Sequence, residues 1–161
     1  MGTRSVIARP TPDGGFCGNY CHYDGYPAHQ GRILFQAVTG HFAGDPEAAG
    51  QYLIDQHPAG WSVLYGDFSV PPGYQYHPDP GDRRNQCYCH GERHDPPRPQ
   101  LDAHGARAAG IDYAYVLDPD RLRVLTNHSG WQPVAEPPWT NRPDWEAIDH
   151  HARQLQRWGP P

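Results

Sequence analysis

Hydrophobic and polar residues alternate in two parts of the chain with the period of two that is typical of β-strands. Residues 5–9 and 16–22 flank the sequence TPDGG, whose Pro, Asp and Gly residues favour a turn. Residues 111–117 and 121–126 flank the turn sequence DPD in the same way. Each pair predicts an antiparallel hairpin, and residues 61–65 predict one further strand.

Three other segments repeat their apolar residues at the spacing of an α-helix. Residues 30–39 form the first segment. The second begins at Asp45, a favourable N-cap residue followed by Pro46, and ends before Pro58. Residues 143–158 form the third. The apolar stripe of this closing helix consists of Trp145, Ile148, Ala152 and Leu155.

These elements predict one α+β domain spanning residues 1–161. We expect a small antiparallel sheet built from the two hairpins, with the helices on one face. Residues 66–107 contain seven prolines and little periodic pattern. They are predicted to form a long irregular Pro/Gly-rich central loop, inserted into the domain.

Composition limits the kinds of partner to be expected. Hydrophobic residues make up only 37% of the chain, while Gly and Pro contribute 18 and 19 residues, so irregular chain should surround a modest core. All 13 basic residues are arginine, which is typical of a GC-rich genome such as that of an actinobacterium or its phages. The net charge is −5 and no basic block is present, so nucleic acid is not favoured as a partner.

The N-terminal sequence MGTRSVIARP lacks the apolar region of a signal peptide, and no apolar run reaches the ~20 residues that span a bilayer. We therefore expect a cytoplasmic protein without a membrane partner. In that compartment the four cysteines should be reduced, because disulfides are rare there. Each cysteine is then a free thiol, a core residue or a metal ligand.

The strongest chemical signal is the sequence CYCHGERH at residues 87–94, which places two thiols and two imidazoles in a short segment. Zinc binds three or four such donors, and local ligands suit a loop rich in Pro and Gly. The predicted site combines Cys87, Cys89 and His94 with either Cys21 or His90. The C-x-C spacing is tighter than the common C-x₂-C knuckle, and the alternative is a solvated loop with incidental Cys and His residues.

A second group of candidate residues surrounds the end of the second strand. A carboxylate beside an imidazole orients it for general-base catalysis, which makes His22, Asp24 and Tyr26 candidate catalytic residues. The candidate ligand-binding residues around them are Arg4, Tyr20 and Tyr23. The competing interpretation is turn chemistry at Asp24-Gly25, with His22 as a hydrogen-bonded core residue.

The opening MGTRS, the segment CHYDGYP at residues 21–27, Gly31 and Leu34 together resemble a family of small phage and actinobacterial proteins. Those proteins begin with MGTRS and carry a CHWDGYP-type segment, in which Tyr23 here replaces the usual Trp. Residues 112–118, DYAYVLD, resemble a later strand of the same family. The resemblance implies a phage or mobile-element origin and a shared N-terminal unit.

Two functions are consistent with these patterns. The first is a small metal-stabilised binding or accessory protein that engages a host protein, because the chain is acidic and lacks a complete catalytic motif. The alternative is an enzyme or small-ligand-binding protein with a polar pocket at the turn of His22, Asp24 and Tyr26.

Overall fold

The computed structural model describes residues 2–161, which form one mixed sheet with helices packed against it. The strands are β1 (Ser5–Pro10), β2 (Phe16–Cys21), β3 (Trp61–Val63), β4 (Gln86–Cys87), β5 (Leu101–Asp102), β6 (Tyr113–Leu117), β7 (Leu122–Asn127) and β8 (Trp131–Ala135). The helices are α1 (Arg32–Gln36), α2 (Pro46–Gly50), α3 (Ala103–Ala108) and α4 (Trp145–Trp158). Wider π-helical turns extend the first two helices, at Pro27–Gly31, Ala37–His41 and Gln51–Asp55.

The strand order is β4-β3-β2-β1-β6-β7-β8, with β5 also paired to β2. Both predicted hairpins, β1–β2 and β6–β7, lie in this one sheet. They are joined by a parallel pairing between β1 and β6, and β2 pairs with β3 in parallel as well. The sheet is therefore mostly rather than wholly antiparallel. The description as two hairpins alone is not confirmed, because four more strands extend the sheet.

Side chains on the two faces of the sheet form two apolar clusters. Ile7 of β1 faces the larger cluster, which contains residues of α1, α2 and α4, while its neighbours Val6 and Ala8 face the smaller one. Ala106 of α3 belongs to the smaller cluster. The helices therefore cover both faces, which corrects the expectation of one. The sequence predicts α4 because its four turns show a clear helical period of apolar residues. It does not predict α3, because that helix has too few residues to show such a period.

The helix starts follow the predicted capping chemistry. The Asp45 carboxylate accepts hydrogen bonds from the backbone N–H groups of Glu47 and Ala48, with Pro46 at the first helical position. Asp144 caps α4 by accepting from Ala147. A less expected cap comes from buried Asp149, whose carboxylate accepts from the N–H of Ala28 at 3.1 Å. This contact joins α4 to the first helical segment.

The central segment, residues 66–107, departs from a plain loop because it contributes β4, β5 and most of α3. Fully buried Asn85 organises it: the side-chain oxygen accepts from the N–H groups of Tyr65 and Gly66 at 3.0 and 2.9 Å. Gln86 accepts similarly from Gln75 at 2.9 Å. These amides substitute for the sheet pairing that the segment lacks, and they fix its path beside β3.

None of the helices formed by residues 2–161 combines the length and the apolar character required to cross a membrane.

Candidate metal centre

Four potential metal ligands converge where the central segment meets the end of the second helical segment. They are His57, Cys87, Cys89 and His90, and one ligand atom of each lies within 4.8 Å of the others. The Cys87 Sγ lies 3.1 Å from the Nδ1 of His90. In a tetrahedral zinc site with bonds of 2.0–2.3 Å, ligand atoms lie roughly 3.5 Å apart. The cluster therefore has the dimensions of a metal site.

The two thiols are positioned by backbone pairing. Cys87 ends β4 opposite Trp61 of β3, and its N–H donates to the carbonyl of Gly73 at 2.8 Å. The chain then turns, so that the thiol of Cys89 accepts a hydrogen bond from the N–H of Ala59 at 3.3 Å. Both sulfurs thus face the segment that contains His57.

His57 reaches the cluster from a distant part of the chain. It follows the π-helical turn Gln51–Asp55, and its carbonyl accepts from the buried Asn19 amide at 2.8 Å. The ring packs against Tyr52 and Trp61, with centroid distances of 4.9 and 4.6 Å. Only 4% of the residue is exposed. This packing holds the imidazole in one orientation, towards His90.

The ring of His57 contains a buried polar atom that needs a partner. Its Nδ1 makes no hydrogen bond with any group in residues 2–161. A buried nitrogen without a partner costs about 1–3 kcal/mol, so such atoms are rare in folded proteins. A metal ion bound at this nitrogen would satisfy it. The cluster therefore fits a cation on chemical grounds as well as on dimensions.

Burial sets the protonation of two of the ligands. Burial, followed by the charge of neighbouring His90, lowers the pKa of His57 to about 4, so the imidazole is neutral and able to ligate. Burial also raises the pKa of the Cys87 thiol to about 11. A thiolate here therefore requires a nearby positive charge, which zinc supplies.

The donor set is two sulfurs and two imidazole nitrogens, which is typical of tetrahedral zinc. Four protein ligands leave no coordination position for substrate or water, and closed sites of this kind are structural. Cys87 and His57 are buried, Cys89 is half-buried and His90 is exposed. One side of the centre therefore faces solvent, which gives an ion a path of entry.

Three of the predicted ligands are brought together: Cys87, Cys89 and His90. His94 lies outside the group, because the chain turns away at Gly91 with a φ of 75°. The next residue, Glu92, donates its N–H to the carbonyl of Tyr74 at 2.8 Å. His94 is exposed.

Cys21 also lies outside the group, and its thiol is fully buried in the larger apolar cluster. Burial raises its pKa to about 12, and its nearest acceptors are the carbonyls of Tyr23 and Ser62 at 3.8 and 4.0 Å. Cys17 donates instead to the Gln100 side chain at 3.2 Å. Both thiols of β2 therefore lie outside the group of candidate metal ligands.

His57 was missed by the sequence reasoning. It lies thirty positions before Cys87, in a chain with 11 histidines, so local spacing gives no reason to select it. The available signal is its place directly after a helical pattern and before Pro58. That signal indicates a helix end rather than a ligand.

The second candidate group has a different arrangement from a catalytic triad. The Tyr20 hydroxyl hydrogen-bonds to the Nδ1 of His22, and these side chains share a face of the strand. Asp24 occupies the left-handed region at φ 55°, and within residues 2–161 no hydrogen bond joins it to His22. The exposed rings of Tyr23 and Tyr26 lie nearby. The geometry of Asp24 is that of a turn residue.

Arg4, the remaining candidate, uses its backbone to pair β1 with the residues before β6: its N–H donates to the Asp112 carboxylate at 3.0 Å. The guanidinium donates to the carbonyl of Gly110 at 2.7 Å. Burial lowers the pKa of His22, followed by the positive charge of Arg4. Arg4 therefore lies close enough to act electrostatically on His22.

Comparison with protein-family models, with curated proteins and with solved structures gave no match to this chain.

Proposed function

We propose that the protein binds one zinc ion through His57, Cys87, Cys89 and His90, and that the ion has a structural role. The observation that carries this proposal is His57, whose imidazole lies among two thiols and a second imidazole and whose buried Nδ1 lacks a hydrogen-bond partner within residues 2–161. The ion supplies that partner and the positive charge that the Cys87 thiolate needs.

The central segment has few other sources of order. Within residues 66–100, the buried hydrophobic side chains are Cys87 and Tyr88. Apolar burial stabilises by about 1.5–3 kcal/mol for a large side chain, while ordering each residue costs about 1–2 kcal/mol. A metal bridge from His57 to residues 87–90 contributes the missing stabilisation and fastens the segment to the sheet.

The test is metal content and its dependence on single ligands. Protein purified from zinc-supplemented medium should contain about one zinc per chain by elemental analysis. His57→Ala and Cys87→Ser should each lose most of it, because three-ligand remnants bind more weakly. Cys17→Ser is the matched control, since that thiol is outside the cluster. Metal-free wild-type protein, or equal loss in the control, would exclude the proposal.

The wider role that we propose is a binding or accessory protein of phage or mobile-element origin that engages a host protein. A closed metal site supports binding rather than chemistry. The segment that the metal orders carries an aromatic and basic surface: Arg93 lies over the rings of Tyr74 and Tyr88, and Tyr76 beside Tyr74 is 61% exposed. Tyr and Arg are the residues enriched at binding hot spots.

A photo-reactive amino acid at position 76 tests this surface. A discrete cross-linked product should form in host cells with the label at Tyr76 and disappear with Cys87→Ser in the same chain. Trp158, 74% exposed on α4, provides the control position. No product at position 76, or the same product from position 158, would argue against this surface.

The alternative, an enzyme with His22, Asp24 and Tyr26 as its catalytic residues, is less well supported. Among residues 2–161, Asp24 has no hydrogen bond to the His22 ring that it would have to orient. The hydrogen bond of His22 is to Tyr20 instead.

A further inference from the structure

A cavity of about 390 Å³ lies beside the start of β1 and the end of β2. Its other walls come from residues 58–60, from residues 98–101 of the central segment and from the residues just before β6. Its wall is mostly apolar, with Pro58, Leu101 and Ile111 among the lining residues. Its polar lining includes Arg4, Tyr20 and Arg98. Ligand pockets range from about 300 to 1,000 Å³, so this volume suits a small molecule.

The polar part of the cavity has an excess of positive charge. The Arg4 guanidinium donates to the Gly110 carbonyl, and within residues 2–161 no carboxylate forms a salt bridge with it. Arg98 pairs with Asp95 at 3.1 Å, but the same carboxylate also pairs with Arg93. One carboxylate therefore serves two guanidinium groups, while within residues 2–161 no salt bridge offsets the charge of Arg4. In a chain of net charge −5, this concentration of positive charge is local.

The positive charges of Arg4 and Arg98 both act on His22, the residue that follows β2. Behind the larger effect of burial, the positive charges of Arg4 and Arg98 both lower the pKa of His22. Tyr20, which lines the cavity, hydrogen-bonds to that His22 ring. The two arginines therefore line the same cavity as Tyr20.

We propose that this cavity binds a small monocarboxylate with an apolar aliphatic or aromatic body. The carboxylate pairs with the guanidinium of Arg4 beside the Tyr20 hydroxyl, and the body packs against Pro58, Leu101 and Ile111. A guanidinium matches the geometry of a carboxylate, and the pairing is stronger where apolar walls exclude water. The apolar wall disfavours a phosphate-rich ligand, whose charge would lie against carbon.

The two walls of the cavity are held together by the chain itself. The N–H of Arg98 donates to the carbonyl of Pro58 at 3.0 Å, which joins the end of the central segment to the residue after His57. The adjacent Ala59 donates to the Cys89 thiol. The cavity walls are therefore held by contacts within the chain, one of which is to a thiol of the proposed metal site.

The probe is 3-phenylpropionate, compared with its neutral amide by isothermal titration calorimetry and by NMR of the Tyr20 ring. The wild-type protein should bind the carboxylate about 10-fold more tightly than the amide, as expected for one charge-assisted hydrogen bond. Arg4→Met should remove this preference. Arg142→Met is the matched control, because Arg142 is exposed and does not line the cavity.

A second variant keeps the test valid if Arg4→Met fails to fold. Ala109 lines the cavity and is exposed, so Ala109→Trp should fold and fill the space, abolishing binding of carboxylate and amide alike. The proposal is overturned if acid and amide bind equally, if Ala109→Trp leaves binding unchanged, or if no binding is seen at about 10 mM probe, a concentration at which even a millimolar ligand saturates. Competition by inorganic phosphate at equal concentration would also overturn it, by indicating a simple anion site.

Discussion

The chemistry of single residues here is decided by what packs around them. His57 is an ordinary imidazole made neutral and rigid by the rings of Tyr52 and Trp61. Cys21 and Cys87 are both thiols with a raised pKa, but only Cys87 has imidazole nitrogens beside it. Two residues of the same type therefore differ in their surroundings: Cys21 is a core residue, and Cys87 is a candidate ligand.

Substitutions at Asp24 distinguish a role in the backbone turn from a role in catalysis. Its φ of 55° lies in the left-handed region, which costs a side chain such as Ala about 1 kcal/mol and glycine almost nothing. We expect Asp24→Gly to retain the wild-type free energy of unfolding and Asp24→Ala to lose about 1 kcal/mol, measured by chemical denaturation. Both variants should keep binding 3-phenylpropionate. Loss of binding in both at unchanged stability would instead give Asp24 a functional role.

Asp55 provides a pH-dependent prediction. A hydrogen bond from Arg9 lowers the pKa of the Asp55 carboxyl, so the pair stabilises the fold at pH values above the unfolded pKa near 3.8. This contribution is lost as the pH falls through the lower folded pKa. Both side chains are partly exposed, so it amounts to less than about 1 kcal/mol.

Asp55→Asn should therefore unfold more easily than wild type at pH 7, and the difference should shrink as the pH falls through the lowered pKa of Asp55, because wild-type Asp55 is then protonated too. Thermal melts across this range measure it. Asp82→Asn is the control, because Asp82 forms no salt bridge within the described chain. A difference that persists unchanged in acid would contradict the assignment.

At the scale of elements, the central segment differs from the rest of the fold. The hairpins are held by continuous pairing and by apolar side chains on both faces. The central segment is held by buried amides, by short bridges and by one close backbone approach at Gly91. The order of the central segment is therefore sensitive to the loss of a single contact, whereas each hairpin is held by many contacts.

Alanine substitutions at two glycines of this segment distinguish the cost of a steric clash from the cost of backbone strain. Gly91 and Gly81 have similar φ angles of 75° and 85°. A Cβ on Gly91 would lie 2.2 Å from the Tyr74 nitrogen, while a Cβ on Gly81 would meet nothing within 4 Å. Gly81→Ala should cost about 1 kcal/mol from strain alone, and Gly91→Ala distinctly more.

Urea denaturation gives both costs, and zinc content reports the consequence for the site. Gly91 follows His90 directly, so we expect zinc loss in Gly91→Ala but full occupancy in Gly81→Ala. Equal costs in the two variants would show that Gly91 does not need its close contact with Tyr74.

At the scale of the whole molecule, the fold combines a body of paired strands and α4 with a central segment that we propose is ordered by the metal. The body comprises the hairpins and α4, whose buried Trp145 and Ala152 belong to the larger cluster. The central segment adds two edge strands and one wall of the cavity. Metal binding and ligand binding should therefore be linked through this segment.

Chelation tests that linkage. Removing zinc should leave the hairpins folded, with Arg121 and Arg123 protected from trypsin, and should make Arg83 and Arg84 sites of rapid cleavage. It should also weaken binding of 3-phenylpropionate, because Arg98 belongs to the released segment. Circular dichroism and mass spectrometry of the fragments measure both effects. Global unfolding on chelation, or unchanged protection at residues 83–84, would contradict this division.

The sequence by itself determined the elements whose signals are local. Period-two alternation identified both hairpins, and Asp45 with Pro46 identified the start of α2, because these patterns arise from neighbouring residues. The same locality identified Cys87, Cys89 and His90, which lie within four positions of one another. The phage or actinobacterial family, the cytoplasmic location and the protein partner stay predictions.

Only the tertiary structure decided the contacts between distant segments. The parallel pairing of β1 with β6 joins residues more than a hundred positions apart, and two-residue strands such as β4 are too short to show a period. His57 enters the metal centre because β3 and β4 pair and bring residues 57 and 87 together. Such contacts depend on register and burial summed over the whole fold, which local spacing does not encode.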